Sequence, residues 1–333
     1  MSLNPEELEK HCHAILQSRR IQNKIVVLCE GDIRKTQGKE SPQTYGAMER
    51  MPDANFYKAC VPTWWRQKRP EFFICGDRQD VINTYFTLPI LHEQETQDTK
   101  NSYLDPDRLF AMIDLDLQLQ TIDNYIFTDT EAIFRNLYEK SQVKEQNARE
   151  HRIWITGLIH KEAYFLTPEL QSVFDDYPNS PYYKYQGNLV SLKNIYSDMA
   201  DAISSDSDLQ ANVKRAFERI SYCSELDCTE LDLDKFQDSW KHQFQNTTDA
   251  TQKHELIVAL LTIKKAKDYW HQIKSSGDFS EKYREEYWVL FRERLSLEIG
   301  RFYSKQSSDV KSHIPFFFKT LYEFVYLDKT PQL

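Results

Sequence analysis

Lys24-Ile25-Val26-Val27-Leu28-Cys29-Glu30-Gly31-Asp32 is the stretch on which the reading of this chain turns. Five apolar residues, three of them β-branched, run into an acid and a glycine. A short apolar run of this kind predicts a strand buried on both faces, the habit of parallel sheets. It ends in a carboxylate, at the edge where open α/β sheets place ligands. A second run, Leu109-Phe110-Ala111-Met112-Ile113, ends in Asp114-Leu115-Asp116. Alternation along an extended chain puts Asp114 and Asp116 on one side. Side by side, the two strand ends gather three carboxylates, an oxygen-rich set of the kind a hard divalent cation takes.

Outward from these runs the pattern alternates. Before the first lies a helix over residues 4–22, with Asn4 as cap, Pro5 in the first turn and Glu7 completing a capping box. After it, Ile33–Met51 holds Gly38, Pro42 and Gly46 and reads as a long loop. A short helix is expected at Ala54–Ala59, a strand at Glu71–Cys75 closed by Gly76-Asp77, and a helix at Val81–Leu88. A polar loop over His92–Asp107 leads to the second run. Asn124–Phe127 reads as a fourth short strand. Thr128 or Asp129 then caps a helix from Glu131 to Gln142. Arg152–Leu158 gives a fifth strand, with Gly157 just inside its end. Strands alternating with helices predict an α/β fold, a mainly parallel sheet flanked by helices.

Past residue 165 the character changes. Pro178, Pro181 and Gly187 mark a loop. Beyond it Leu256, Leu260, Ile263, Trp270 and Ile273, and then Tyr287, Phe291, Leu295, Ile299 and Phe302, recur at helical spacing. The expected organisation is an α/β domain over 1–165, a linker over 166–190 and an all-helical C-terminal domain over 191–333. These helical stripes are read as core packing.

Composition narrows the classes. At 333 residues the chain suits about two domains, and 40% hydrophobic with 28% charged residues describes a globular chain. Only 8 glycines speak against turn-dense sandwiches, and a net charge of -9 against a protein that coats nucleic acid through overall charge. Local basic contact falls to Arg66, Lys68 and Arg69 beside Trp64 and Trp65, and more weakly to Lys264, Lys265 and Lys267. Six cysteines without a C-x-x-C pair suit reduced thiols rather than a zinc site. No signal segment or membrane-length apolar stretch is visible, so a cytoplasmic protein is expected.

Val26-Val27-Leu28-Cys29-Glu30-Gly31-Asp32, Ile74-Cys75-Gly76-Asp77 and Ala111-Met112-Ile113-Asp114-Leu115-Asp116, in that order, resemble the Toprim pattern. In that pattern a glutamate-glycine ends the first strand and an Asp-x-Asp ends the third. Within the superfamily the chain is most similar to Toprim-like proteins of bacterial phage-defence systems, related to the OLD-type nucleases. Ile126-Phe127-Thr128-Asp129 fits the same subgroup. The resemblance covers roughly residues 20 to 165. It departs in two places: a turn-rich segment follows Asp32 where a helix usually comes sooner, and the acid usual after Thr128-Asp129 falls near Phe134.

The resemblance implies a nuclease that hydrolyses DNA or RNA with Mg²⁺ or Mn²⁺, an effector in anti-phage defence controlled by a partner ATPase. Glu30 is then general base or metal ligand, Asp114 and Asp116 are ligands, and Asp77 or Asp80 supports a second position. Lys161, in His160-Lys161-Glu162, balances charge in the transition state, unless it is a solvated surface lysine. Two other readings stay open. One is an inactive Toprim-like module that binds a partner or nucleic acid through its helical half. The other is a nucleotidyl- or glycosyl-transferring enzyme holding a metal-bound nucleotide on Asp114 and Asp116. Nothing in the sequence excludes an oligomer.

Overall fold

The first apolar run forms strand β1 (Val26–Cys29), and its neighbours are the runs that match it in length and burial. β2 (Glu71–Ile74) pairs along one side of it and β3 (Leu109–Ile113) along the other; β6 (Ile153–Ile155) adds outside β3. All four are parallel, with Val27 level with both Phe72 and Phe110, and Met112 level with Trp154. The computed structural model describes residues 3–31, 52–98, 102–176, 183–275 and 284–326. Asp32 and the loop expected at Ile33–Met51 lie outside the described residues.

Helices cover both faces, as an all-parallel sheet requires. α1 (Pro5–Leu16) carries the expected capping box: the Glu7 N–H donates to Asn4 Oδ1 at 2.9 Å and the Asn4 N–H to Glu7 Oε2 at 3.1 Å. It is followed by a 3-10 turn at Arg19–Ile21 rather than running on to residue 22. α2 (Pro52–Cys60) leads into β2, and α3 (Arg78–Asp98) packs against α1, β1 and β3. α3 takes in the first part of the segment read as a polar loop, His92–Asp98. Its polar side faces water while its other side packs on α1 and the sheet, and Pro89 does not end it.

The stretch Asn124–Phe127 is not a strand. It lies in a loop closed by Ile122 N–H to Thr128 O (2.9 Å) and Thr130 N–H to Gln120 O (3.0 Å), and Ile126 is 73% exposed. No sheet neighbour is there to take its backbone groups, so β propensity alone does not extend it. α4 (Thr130–Leu137) starts on its Asp129 cap as expected but stops five residues early. Lys140 and Ser141 take positive φ and turn the chain into the hairpin β4 (Tyr138–Glu139) and β5 (Gln142–Val143). A short helix α5 (Glu145–Ala148) leads to β6.

Residues read as a linker carry structure. After a 3-10 turn at Lys161–Leu166, they hold a second at Pro168–Leu170, α6 (Gln171–Asp175), β7 (Tyr183–Tyr185) and β8 (Asn188–Leu189). The following helices are α7 (Leu192–Asp201), α8 (Ser207–Ile220), α9 (Leu233–Asn246), α10 (Ala250–Ile263) and α11 (Lys267–Gln272). A two-residue strand, β9 (Lys274–Ser275), pairs with β7 and completes a small antiparallel sheet. α12 (Arg284–Tyr303) packs along α2, and α13 (His313–Tyr326) lies across one face of the main sheet. There Phe318 meets Phe72, Phe317 meets Trp154 and Phe324 meets Phe110, with ring centroids 5.0–6.0 Å apart. Among the described residues no helix is long and apolar enough to cross a membrane.

Candidate active site

From β1 the chain moves to β2 on one side, then returns to place β3 on the other. The carboxyl ends of β1 and β3 therefore flank a topological switch point, where open α/β sheets form their ligand crevice. Glu30 directly follows β1 and Asp114 directly follows β3. The Asp114 N–H donates to Glu30 Oε1 at 2.7 Å, so the two acids meet.

The loops bearing them are braced by backbone bonds. Thr156, after β6, accepts the Leu115 N–H at 2.9 Å and donates to the Leu158 carbonyl at 2.7 Å. The Asp116 N–H reaches Ile159 O at 2.8 Å, and the Lys161 N–H reaches Asp114 Oδ1 at 3.0 Å. Asp116 sits at φ +41°, a conformation that costs a non-glycine residue energy and is kept by these braces. On the other flank the Gly31 N–H donates to Gly76 O at 2.9 Å. Gly76 has φ +92°, and a Cβ there would fall 2.3 Å from Asp80 Oδ2, so only glycine fits.

Charge is concentrated here. Burial, with the Asp116 charge adding to it, pushes the Glu30 carboxyl up to about 7; the Asp114 N–H, Arg78 and Lys161 pull the other way. Burial and the facing Glu30 and Glu162 raise Asp114 well above the usual carboxylate range. Near neutral pH the pair thus resists carrying two negative charges and favours taking up a proton or a cation. Arg78 Nη1 lies 3.3 Å from Leu115 O and 4.0 Å from Asp116 Oδ2.

Lys161 is not a solvated surface lysine. Its side chain is 11% exposed and its Nζ stands 4.0 Å from Glu162 Oε1. Burial disfavours the charged form of Glu162, yet Lys161 and His160 outweigh it and hold that carboxyl below its ordinary range. His160 Nε2 accepts the Ala266 N–H at 3.0 Å, which leaves the proton on Nδ1, 3.0 Å from Glu162 Oε2. The helical half also reaches the site: Arg215 donates to Leu117 O, and Lys265, paired with Asp208, lies close enough to feel the Asp116 charge.

Asp77 and Asp80 are engaged differently from expectation. The Asp80 N–H donates to Asp77 Oδ1 at 3.1 Å and the Asp77 N–H to Asp80 Oδ2 at 3.2 Å, a reciprocal cap on α3. Asp80 Oδ1 also takes the Leu3 N–H at 2.9 Å.

Arg66, Lys68 and Arg69 precede β2 and so lie at the amino edge of the sheet, about 13 Å of strand away from the acids. Arg69 donates to Val61 O at 2.8 Å and Trp64 stacks on buried Trp65. Lys264 is buried against Asp206.

Glu30, Asp114 and Asp116 offer hard oxygen donors, and the repulsion between Glu30 and Asp114 would be relieved by a divalent cation. Among the described residues, however, no three His, Cys, Asp or Glu side chains converge as a ready ligand set. Fold and site together define an α/β protein with an acidic centre at its switch point. Comparison with protein-family models, curated proteins and solved structures returns no match for the chain.

Proposed function

We propose that the chain is a Toprim-like phosphodiesterase that hydrolyses DNA or RNA with Mg²⁺ or Mn²⁺ held by Glu30, Asp114 and Asp116. The observation that carries this is the meeting of two half-buried carboxyls, both raised above their ordinary range, with Arg78 and Lys161 beside them. A bound divalent ion supplies charge neutralisation at the phosphoryl oxygens and a more acidic attacking water. Glu30 would serve either as a ligand of that ion or as the general base. Arg78 and Lys161 hold the phosphate and offset its developing charge. The braced loops after β3 and β6 keep these groups in place without reorganisation. A role in anti-phage defence under control of a partner ATPase is what the resemblance adds.

A second reading, an inactive module that binds a partner or nucleic acid, draws on two other observations. Glu30 Oε1 and Asp114 Oδ1 already accept backbone N–H groups, and no ready three-ligand set forms among the described residues.

Thermal melting with and without Mn²⁺ separates the two. On the nuclease reading, Mn²⁺ at a hundredfold excess over its dissociation constant stabilises the wild type by about 2.7 kcal/mol. Asp114→Asn removes most of that gain, and Glu30→Gln abolishes cleavage of plasmid or RNA. Equal Mn²⁺ shifts in wild type and Asp114→Asn would end the nuclease reading.

A further inference from the structure

Behind the loop that follows β6 lies a cavity of about 260 Å³ that is separate from the acidic centre. Its walls come from distant parts of the chain: the β4–β5 hairpin, the 3-10 turns after Lys161, α10, and the junction of α12 with α13. Leu158, Tyr164, Tyr303 and His313 are buried and form its floor, while Lys140, Glu169, Asp309 and Lys311 are exposed and form its rim.

The floor presents ring surface rather than free hydroxyls. Tyr303 donates to Tyr164 O at 2.6 Å, and Tyr222 in the wall is bonded to Ser141. His313 Nε2 lies 2.7 Å from Ser141 O, a pure acceptor, so Nε2 carries the proton and the neutral ring turns Nδ1 to Tyr164 at 3.0 Å. The Tyr164 hydroxyl therefore donates to His313 and accepts from the Gly157 N–H (2.8 Å) and Leu158 N–H (3.3 Å). A Cβ on Gly157 would fall 2.3 Å from His313 Nδ1, so the glycine admits the imidazole.

Size and polarity set the occupant. An apolar cavity of ~150 Å³ takes up benzene, so this one has room for a fused two-ring system. Two lysines, Lys140 and Lys311, face three acids, Glu169, Glu255 and Asp309, so neither sign dominates, while Gln142 and Gln306 add amide donors and acceptors. We propose that this cavity binds an uncharged, planar two-ring heteroaromatic molecule, its ring on the tyrosine floor and its polar edge at the rim. The ligand then rests on Tyr164, whose hydroxyl holds the two amides that lead into Thr156, Lys161 and Asp114. The cavity is thus a control site for the acidic centre, whatever reaction that centre performs.

Calorimetric titration of the full chain with adenine and with indole tests this, alongside hydrogen exchange over residues 153–162. Saturable binding of at least one probe is expected, with slower exchange at Gly157 and Leu158. Val258→Phe, which fills the wall, and Thr251→Trp, which blocks the exposed rim without touching the core, each weaken binding at least tenfold. Thr251→Trp should melt like the wild type, so it serves if Val258→Phe misfolds. No binding of either probe, binding that Thr251→Trp leaves unchanged, or exchange at 153–162 that ignores a bound probe would overturn the proposal. Each of these outcomes is read without Mn²⁺ or a nucleic acid substrate, so the nuclease reading stands or falls separately.

Discussion

Glu30 is an acid whose folded environment favours its neutral form, and this reverses the usual dependence of stability on pH. Its pKa is about 7 in the fold, against about 4.3 for an unfolded glutamate. Between those values the native state binds the extra proton, so stability falls as pH rises through the window and the loss is complete above it. The wild type should lose on the order of 3 kcal/mol across that range from this group. Glu30→Gln removes one of two raised carboxyls and should shrink the loss without abolishing it, because Asp114 is also raised, leaving the variant more stable than the wild type at pH 8. Urea denaturation at pH 5 and pH 8 checks this; parallel losses in the two proteins would show that Glu30 is not the group responsible. The acids themselves were legible, because a buried run ending in Glu30 or Asp114 is a local pattern. Arg78, Glu162 and His160 were not, since their partners Leu115 and Ala266 are distant in sequence or become neighbours only in the fold. The one local signal was position: Arg78 follows Gly76-Asp77 at a strand end, and His160 and Glu162 flank Lys161.

Elements show the same division between local and distant causes. β1, β2, β3 and β6 announce themselves by composition, and α1 by its cap. Asn124–Phe127 shares their composition but has no strand beside it, and the end of α4 depends on a hairpin turn that helix periodicity does not reveal. α4 is also where the two halves of the chain are joined by charge. Arg219 of α8 donates to Glu131 Oε2 from Nε at 3.0 Å and Nη2 at 2.8 Å, with the arginine side chain 1% exposed. Its guanidinium lies 5.6 Å from the Phe134 ring centroid. Removing one partner strands the other charge in the interior, so Glu131→Ala should cost about 3–5 kcal/mol. Replacing both, as Glu131→Leu with Arg219→Met, should cost far less, because no unpaired charge remains. A double-mutant cycle by denaturant unfolding reads the difference, and additive costs would show that the pair is not coupled.

At the scale of the molecule, α12 and α13 return to the α/β half and make one core with it. The register of helical stripes in the sequence shows that these segments have apolar faces but not what they cover. Phe317, Phe318 and Phe324 of α13 cover Trp154, Phe72 and Phe110 on the sheet. Ending the chain at residue 310 should therefore expose a broad aromatic surface on the sheet. The shortened protein should bind a hydrophobic dye strongly and lose its cooperative melt, whereas a helical half that folded by itself would leave the sheet's melt intact. Full cooperativity in the shortened chain would show that α13 is dispensable.

The dependence on α13 also sets a clock during synthesis. Glu30 leaves the ribosome early, but His313, whose imidazole steadies Tyr164 and with it the amides beside the acidic loops, follows nearly 300 residues later. At roughly 5–20 residues per second, that interval is on the order of half a minute. Throughout it the nascent chain carries the acids without the brace behind them, so the centre is assembled only as translation of the helical half finishes.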